Sequence, residues 1–138
     1  MDWIEKNLKD EMHVFEYGSG HSTLYLQGRV KRLVSVEHDI RWYDHINREI
    51  KEADYVLLHP EEYPESILEY PGDFDLIIID GIYRERCARA ARMKVRQGGY
   101  IILDDSEKKR YAPIRAMFKD DLHCVLGGEG KKTTIWRF

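Results

Sequence analysis

Cysteine is nearly missing from this sequence. Its 138 residues contain two, Cys87 and Cys124. That is too few, and too widely spaced, for a disulfide framework or a thiolate metal site. Such usage fits a reducing compartment, and a cytoplasmic location is the expectation. Long apolar runs are missing too. No stretch approaches the ~18 residues of a membrane span, so no membrane partner is expected, and the opening "MDWIEKNLKDE" is too charged for a signal peptide. Nor is there an excess of positive charge. The 22 Lys and Arg against 25 Asp and Glu leave a net −3, which argues against a generally nucleic-acid-binding surface. Repeats, linkers and low-complexity tracts are absent, so residues 1–138 read as one domain.

What is present is an alternation of strand and helix. A brief helix around Trp3–Lys9 precedes a strand at Val14–Tyr17. His21–Gln27 opens a helix, and "RLVSV" (Arg32–Val36) is a second strand. Ile40–Glu52 reads as a helix, with Ile40, Tyr43, Ile46 and Ile50 at helical spacing. A third strand at Tyr55–Leu58 and a short helix over Glu61–Glu69, begun near Pro64, follow. "FDLIII" (Phe74–Ile79) lacks polar alternation and should be buried on both faces. Arg84–Val95 is a helix that Gly98-Gly99 stops, and Tyr100–Leu103 is a fifth strand. After a helix at Tyr111–Phe118 the alternation breaks. His123–Leu126 and Thr133–Phe138, joined by "GGEGKK", form a hairpin. The fold class is therefore α/β: a doubly wound, mostly parallel seven-stranded sheet with a C-terminal antiparallel hairpin. Ligands of such sheets bind outside the C-terminal strand ends, where the strand order reverses beside the first strand.

The stretch "EYGSGHSTLYL" (Glu16–Leu26) lies at that place. A Gly-x-Gly turn entering a helix suits a dinucleotide or another adenosine ligand. The dinucleotide fingerprint wants a third glycine, where this chain has Thr23. Glu16, two residues before Gly18, would repel a pyrophosphate and suit an ammonium or sulfonium charge. Glu37 ends the second strand, 17 residues after Gly20, where an acid accepts hydrogen bonds from a ribose diol. Plainer readings stand beside these. Gly18 and Gly20 serve a tight turn equally well, Glu16 and Glu37 solvated strand ends, Ser22 or Thr23 a helix cap, and His21 a helix start.

At these residues the sequence resembles the class I S-adenosylmethionine-dependent methyltransferases. "VFEYGSG" looks like their first motif and "VSVEHD" like the acidic motif of the second strand. "FDLIIIDG" and "GGYIILDD" resemble the fourth- and fifth-strand motifs, and the hairpin resembles the last two strands. The resemblance covers residues 13 to 138. It implies S-adenosylmethionine as cofactor and methyl transfer to an oxygen or nitrogen acceptor. It implies that Glu16, Gly18, Ser19, Gly20, Ser22 and Thr23 line the cofactor's methionine side. Glu37 and His38 would lie at the ribose, His59 near the adenine, and Asp80 between cofactor and acceptor. Family members mostly carry extra N-terminal helices over the acceptor, where this chain has about a dozen residues before its first strand. An oligomer partner or a large acceptor would then close the site. Alternatively, the chain is a non-catalytic binding or assembly module, or an NAD-type Rossmann enzyme.

Asp80 follows the fourth strand, and Asp104 and Asp105 follow the fifth. If these strands are neighbours, three carboxylates share one rim, where they raise one another's pKa or recruit a cation. Oxygen ligands suit Mg²⁺ or Ca²⁺, and the arrangement is similar to that of metal-dependent catechol-type O-methyltransferases. Asp80 and Asp104 are the catalytic candidates, and Asp80, Asp104 and Asp105 the metal candidates. The other reading has Asp104 or Asp105 capping a helix or paired with Lys108, Lys109 or Arg110. Tyr83, Arg84 and Tyr111 lie beside an acceptor or pack the fold. The helix "RERCARAARMKVR" offers Cys87, Ala88, Ala91 and Val95 to the sheet, and its basic face reads as solvated or as an anion grip. Tyr111, Met117, Phe118, Trp136 and Phe138 are a large apolar load for a sheet edge, so a homodimer is expected.

Overall fold

The computed structural model describes residues 2–138. Its seven strands are β1 (His13–Tyr17), β2 (Arg32–Glu37), β3 (Asp54–Leu57), β4 (Phe74–Ile79), β5 (Val95–Leu103), β6 (Leu122–Leu126) and β7 (Thr133–Arg137). They form one sheet in the order β3-β2-β1-β4-β5-β7-β6. The first five strands are parallel, and β7 inserts antiparallel between β5 and β6. The order reverses between β1 and β4, which sets their C-terminal ends side by side.

Side chains of successive strand residues point to opposite faces, and both faces here are apolar. Phe15, Tyr17, Val34, Val36, Ile77, Ile79, Ile101 and Leu103 pack under α4 (Arg84–Lys94) and α5 (Ala112–Met117). Val14, Leu33, Leu76, Ile78, Ile102 and Ile135 meet α1 (Asp2–Asn7) and α2 (His21–Leu26) through Trp3, Ile4 and Leu26. Cys87, Ala88 and Ala91 do lie on the sheet, small enough for the close approach of α4. No helix among the described residues is long and apolar enough to cross a membrane.

Three boundaries differ from the sequence expectation, each for a visible reason. The helix expected over 40–52 is α3 (Ile40–Asn47), begun by the Asp39 carboxylate, which accepts from the Arg41 and Trp42 amides. It stops early because Gln27 captures the next turn. Gln27 Oε1 accepts from the Lys51 and Glu52 amides, and Nε2 donates to the Glu49 carbonyl. The helix expected over Arg84–Val95 ends at Lys94, and β5, expected from Tyr100, begins at once, with Val95 paired to Phe74. Gly98 and Gly99 instead make a bulge in β5. A Cβ on Gly99 would lie 2.9 Å from the Asp75 carbonyl oxygen of the neighbouring strand. Finally, the helix expected over Tyr111–Phe118 is α5, which starts at Ala112 with Pro113 in its first turn and follows a 3₁₀ turn over Lys109–Tyr111.

The apolar load expected at the sheet edge is packed within the chain. Tyr111, Phe118 and Trp136 are buried, and Phe118 meets Trp136 and Phe138 edge-on at 5.2 Å. Met117 and Phe138 pack against the same cluster. The residues expected to demand a partner therefore do not. The exposed apolar residues at this edge belong to β6, where Leu122 is 76% and Val125 52% exposed.

Candidate active site at the strand ends

The glycine turn is clamped between two strand ends. The Gly18 amide donates to the Val36 carbonyl of β2, and the Asp80 amide at the end of β4 donates to the Tyr17 carbonyl. Gly18 has φ +88, and a Cβ there would lie 2.4 Å from the Asp80 carbonyl oxygen. A Cβ on Gly81 would lie 1.9 Å from the Tyr63 hydroxyl and 3.5 Å from the Gly18 Cα. The two glycines thus let β1 and β4 touch, back to back, at the switch point.

Glu16 lies fully buried beneath this turn. Its carboxyl accepts from the hydroxyls of Ser22, Thr23 and Ser35. Thr23 Oγ1 also accepts from the Gly20 amide at 3.0 Å, so a single chain of bonds runs from turn to glutamate. Burial pushes the Glu16 carboxyl up to about 7; the three hydroxyls oppose this and the nearby Asp80 adds to it.

Glu37 is the second buried acid, at 3% exposure. Oε1 accepts from the Ser19 amide (3.0 Å) and hydroxyl (2.7 Å), and Oε2 from the His38 and Asp39 amides (3.0 and 3.1 Å). Ser19 Oγ also lies 2.6 Å from the Tyr55 hydroxyl. Burial, with the Glu37 charge adding and the Ser19 hydrogen bond opposing, moves that phenol up to about 12. Trp42 Nε1 closes the outside of the turn by donating to the Ser19 carbonyl at 2.7 Å. Two buried polar atoms here have no hydrogen-bond partner: the Tyr63 hydroxyl, and His38 Nδ1, 3.4 Å from Glu37 Oε2. His59, in the loop after β3, is exposed and accepts from the Glu61 amide. His21 is an exposed helix-start residue.

On the other side of Asp80 stand the remaining acids. Because β4 and β5 pair in parallel with Ile79 opposite Leu103, ligand atoms of Asp80, Asp104 and Asp105 lie within 4.8 Å of one another. The protein supplies its own cations to them. Arg84 Nη2 is 3.1 Å from Asp80 Oδ1, and Lys131 Nζ is 3.1 Å from Asp104 Oδ2 and 3.6 Å from Asp105 Oδ1. Lys108 Nζ is 3.3 Å from Asp105 Oδ2, and the Thr133 hydroxyl donates to Asp104 Oδ1. Both oxygens of Asp104 and of Asp105 are thus engaged, so a divalent ion held by the three acids would take the place of the exposed Lys131 ammonium. Burial raises the Asp104 carboxyl, but Thr133 and Lys131 outweigh it and hold it below the usual range. Asp80 moves the other way: burial first, then the Asp104 charge, raise it, with Arg84 opposing.

Arg84 was expected either beside the acceptor, just beyond the acids, or on the basic face of its helix. It is buried instead, donating to the Gly81 and Asp104 carbonyls at 2.9 and 2.6 Å. The other helix cations turn outward, Arg86 to Glu65 and Arg89 to Glu85. Tyr55, Trp42, Tyr63 and Lys131 were not singled out in the sequence. The pairing of β3 with β2 brings Tyr55 to this rim and that of β7 with β5 brings Lys131, while Trp42 reaches it from α3 and Tyr63 from the turn before Pro64.

No protein-family model matches the sequence, and no curated protein matches it. Solved structures do resemble the fold. A methyltransferase-like protein from Silicibacter pomeroyi is 19% identical, with a TM-score of 0.74 over 99% of this chain and 84% of that one. A precorrin-6y C5,15-methyltransferase from Geobacter metallireducens is 14% identical, with a TM-score of 0.74 over 96% and 82%. An O-methyltransferase from Bacillus cereus, in complex with SAH, is 17% identical, with a TM-score of 0.71 over 92% and 74%. With the β1/β4 switch point and the antiparallel β7, these likenesses establish that the chain has the Rossmann-like fold of the class I methyltransferases.

Proposed function

We propose that this chain binds S-adenosylmethionine and transfers its methyl group to an oxygen or nitrogen acceptor. The observation that carries the reading is the meeting, at one switch point, of a glycine turn, two buried glutamates and a rim carboxylate. The residues fit the cofactor. At Gly20 the turn is open, with only Trp42 Cζ2 within 4 Å of where a Cβ would lie, and Tyr63 and His38 hold buried polar atoms still without partners. Glu37 Oε1 is the proposed acceptor for the ribose diol, in the place the Ser19 hydroxyl takes now. Glu16, with its carboxyl pushed up to about 7, favours an ammonium or sulfonium over a pyrophosphate to the extent that it ionises, and Thr23 fills the position of the third glycine. Both disfavour the NAD reading.

When bound, the cofactor supplies a methyl group whose bond to sulfur breaks as the bond to the acceptor forms, sulfur keeping the electron pair. The chain's part is positioning and proton handling. Asp80, made more basic by burial and by Asp104, takes the proton from the acceptor, and Arg84 holds its carboxylate in place. Calorimetry tests the reading. S-adenosylhomocysteine should bind far more tightly than NAD, and Glu37→Gln should weaken it by about 1.5–3 kcal/mol, as for a charge-assisted hydrogen bond. Tighter binding of NAD would overturn it.

The acid rim separates metal-dependent from metal-free transfer. We take the Lys131 ammonium to stand where Mg²⁺ or Ca²⁺ would bind. Millimolar Mg²⁺ should leave the Tm of the parent protein unchanged. It should raise the Tm of Lys131→Met, in which Asp104 and Asp105 lose their shared ammonium. An equal rise in both proteins would favour a resident cation.

A further inference from the structure

Beyond Asp80 the chain has a cleft of about 550 Å³ that the cofactor residues do not line. Its walls are Gly81–Arg86 on one side and Arg110 and Tyr111 on the other. Its charges are mostly spent. Arg84 is paired with Asp80, Arg86 with Glu65 and Glu85 with Arg89. Arg110 differs. It is exposed, lies over the Tyr111 ring at 5.0 Å, and has no acidic partner among the described residues. An unneutralised guanidinium at the mouth of a partly apolar cleft selects for an anion, and its planar fork suits a carboxylate.

Tyr83 is the second observation. It has φ 48 and ψ 43, a left-handed conformation that costs a bulky residue on the order of 1–2 kcal/mol. Burial does not explain it, since the ring is 51% exposed at the cleft wall. The Arg86 guanidinium lies 5.7 Å over the ring, and strain held at the rim of a cleft is characteristic of ligand contacts. An exposed ring on one wall and the Tyr111 ring on the other suit a flat molecule.

The size of the anion follows from the neighbourhood. Glu61, Glu62, Glu65 and Glu69 stand on the adjoining segment, which Arg86 ties to α4. Of these, Glu61, Glu62 and Glu69 have no cation partner among the described residues, and a field of that sign near the cleft disfavours a polyanion and tolerates a single negative charge.

We infer that this cleft takes a flat, aromatic monocarboxylate, its carboxylate on Arg110 and its ring against Tyr83. The inference names the acceptor class for the methyl-transfer reading and rests on that reading only for the chemistry that follows binding. The probes are 4-hydroxybenzoate, its neutral isostere 4-hydroxybenzamide, and a uridine hexanucleotide, each titrated by NMR into the protein with and without S-adenosylhomocysteine. The benzoate should bind about tenfold more tightly than the amide. Arg110→Gln should abolish that preference and leave S-adenosylhomocysteine binding unchanged, and Tyr83→Ala should weaken both ring compounds alike. Equal binding of acid and amide, a preference that survives Arg110→Gln, or tighter binding of the hexanucleotide would overturn the proposal. Arg110-dependent benzoate binding without S-adenosylhomocysteine binding would keep the anion cleft and remove the cofactor reading. Cofactor binding without acid preference would do the reverse.

Discussion

As the pH rises from 4.5 to 7, Glu16 is expected to cost the protein about 3 kcal/mol of stability. The cause is burial. The carboxyl sits at 0% exposure, where its charged form is desolvated, and the hydroxyls of Ser22, Thr23 and Ser35 compensate only in part. Its folded pKa of about 7 lies above the ordinary 4.5. Within that window the unfolded chain has released the proton and the folded chain keeps it, so folding loses ground as pH rises. The contribution is full below pH 4.5 and gone above about 7. Asp39 and Asp104 are shifted the other way, below 3.8, and act only at lower pH. Asp80 is raised like Glu16, but it is 47% exposed, so solvent screening leaves it a smaller share. Glu16→Gln isolates the effect. The amide is nearly isosteric, accepts from two hydroxyls through Oε1 and donates to the third through Nε2. Urea unfolding at pH 5 and pH 8 should show a steep loss in the parent and a much flatter one in the variant. Parallel losses in the two proteins would mean that Glu16 is ionised throughout and that its hydroxyl partners outweigh burial.

The sequence made the scaffold legible because the scaffold is local. "FDLIII" has no polar alternation, and Phe74–Ile79 is indeed buried on both faces apart from Asp75, which binds the His13 amide at 2.8 Å. Crossover handedness then put the β1 and β4 ends together, and Glu16, Gly18, Glu37 and Asp80 with them. What escaped depends on contacts between distant segments. That Gln27 would end α3 cannot be read from residues 40–52, because the competing hydrogen bonds come from 22 or more residues away. Lys131 reads as a polar loop residue until β7 inserts beside β5 and carries it to Asp104. Arg84 reads as one cation among several at helical spacing. Only the three-dimensional turn at Gly81 buries it and hands it to Asp80. On the rim each acid was visible, and so was Lys108 as a partner of Asp105; what was hidden is the share that Lys131 and Arg84 take in the charge balance.

The two glycines of the opening motif look equivalent in sequence, and the structure separates them. Gly18→Ala is expected to cost about 3 kcal/mol or more, and Gly20→Ala about 1 kcal/mol or less. At Gly18 two penalties coincide. Its φ of +88 is a conformation side chains rarely adopt, and a Cβ would sit 2.4 Å from the Asp80 carbonyl oxygen and 2.8 Å from the carbonyl carbon. Those are backbone atoms at the end of a central strand. They cannot swing aside as a flexible side chain would, so relief requires β1 and β4 to part at the switch point. Gly20 has φ 167, which is extended backbone open to any residue, and the nearest atom to its Cβ would be Trp42 Cζ2 at 3.8 Å, ordinary contact. Its role would instead be close approach to the cofactor, so Gly20→Ala should keep the fold and weaken S-adenosylhomocysteine. Urea unfolding and calorimetry on both variants distinguish the roles. Equal destabilisation would show that the β1–β4 contact at Gly18 yields more easily than its backbone neighbours imply. Undiminished binding in Gly20→Ala would move the ligand away from that half of the turn.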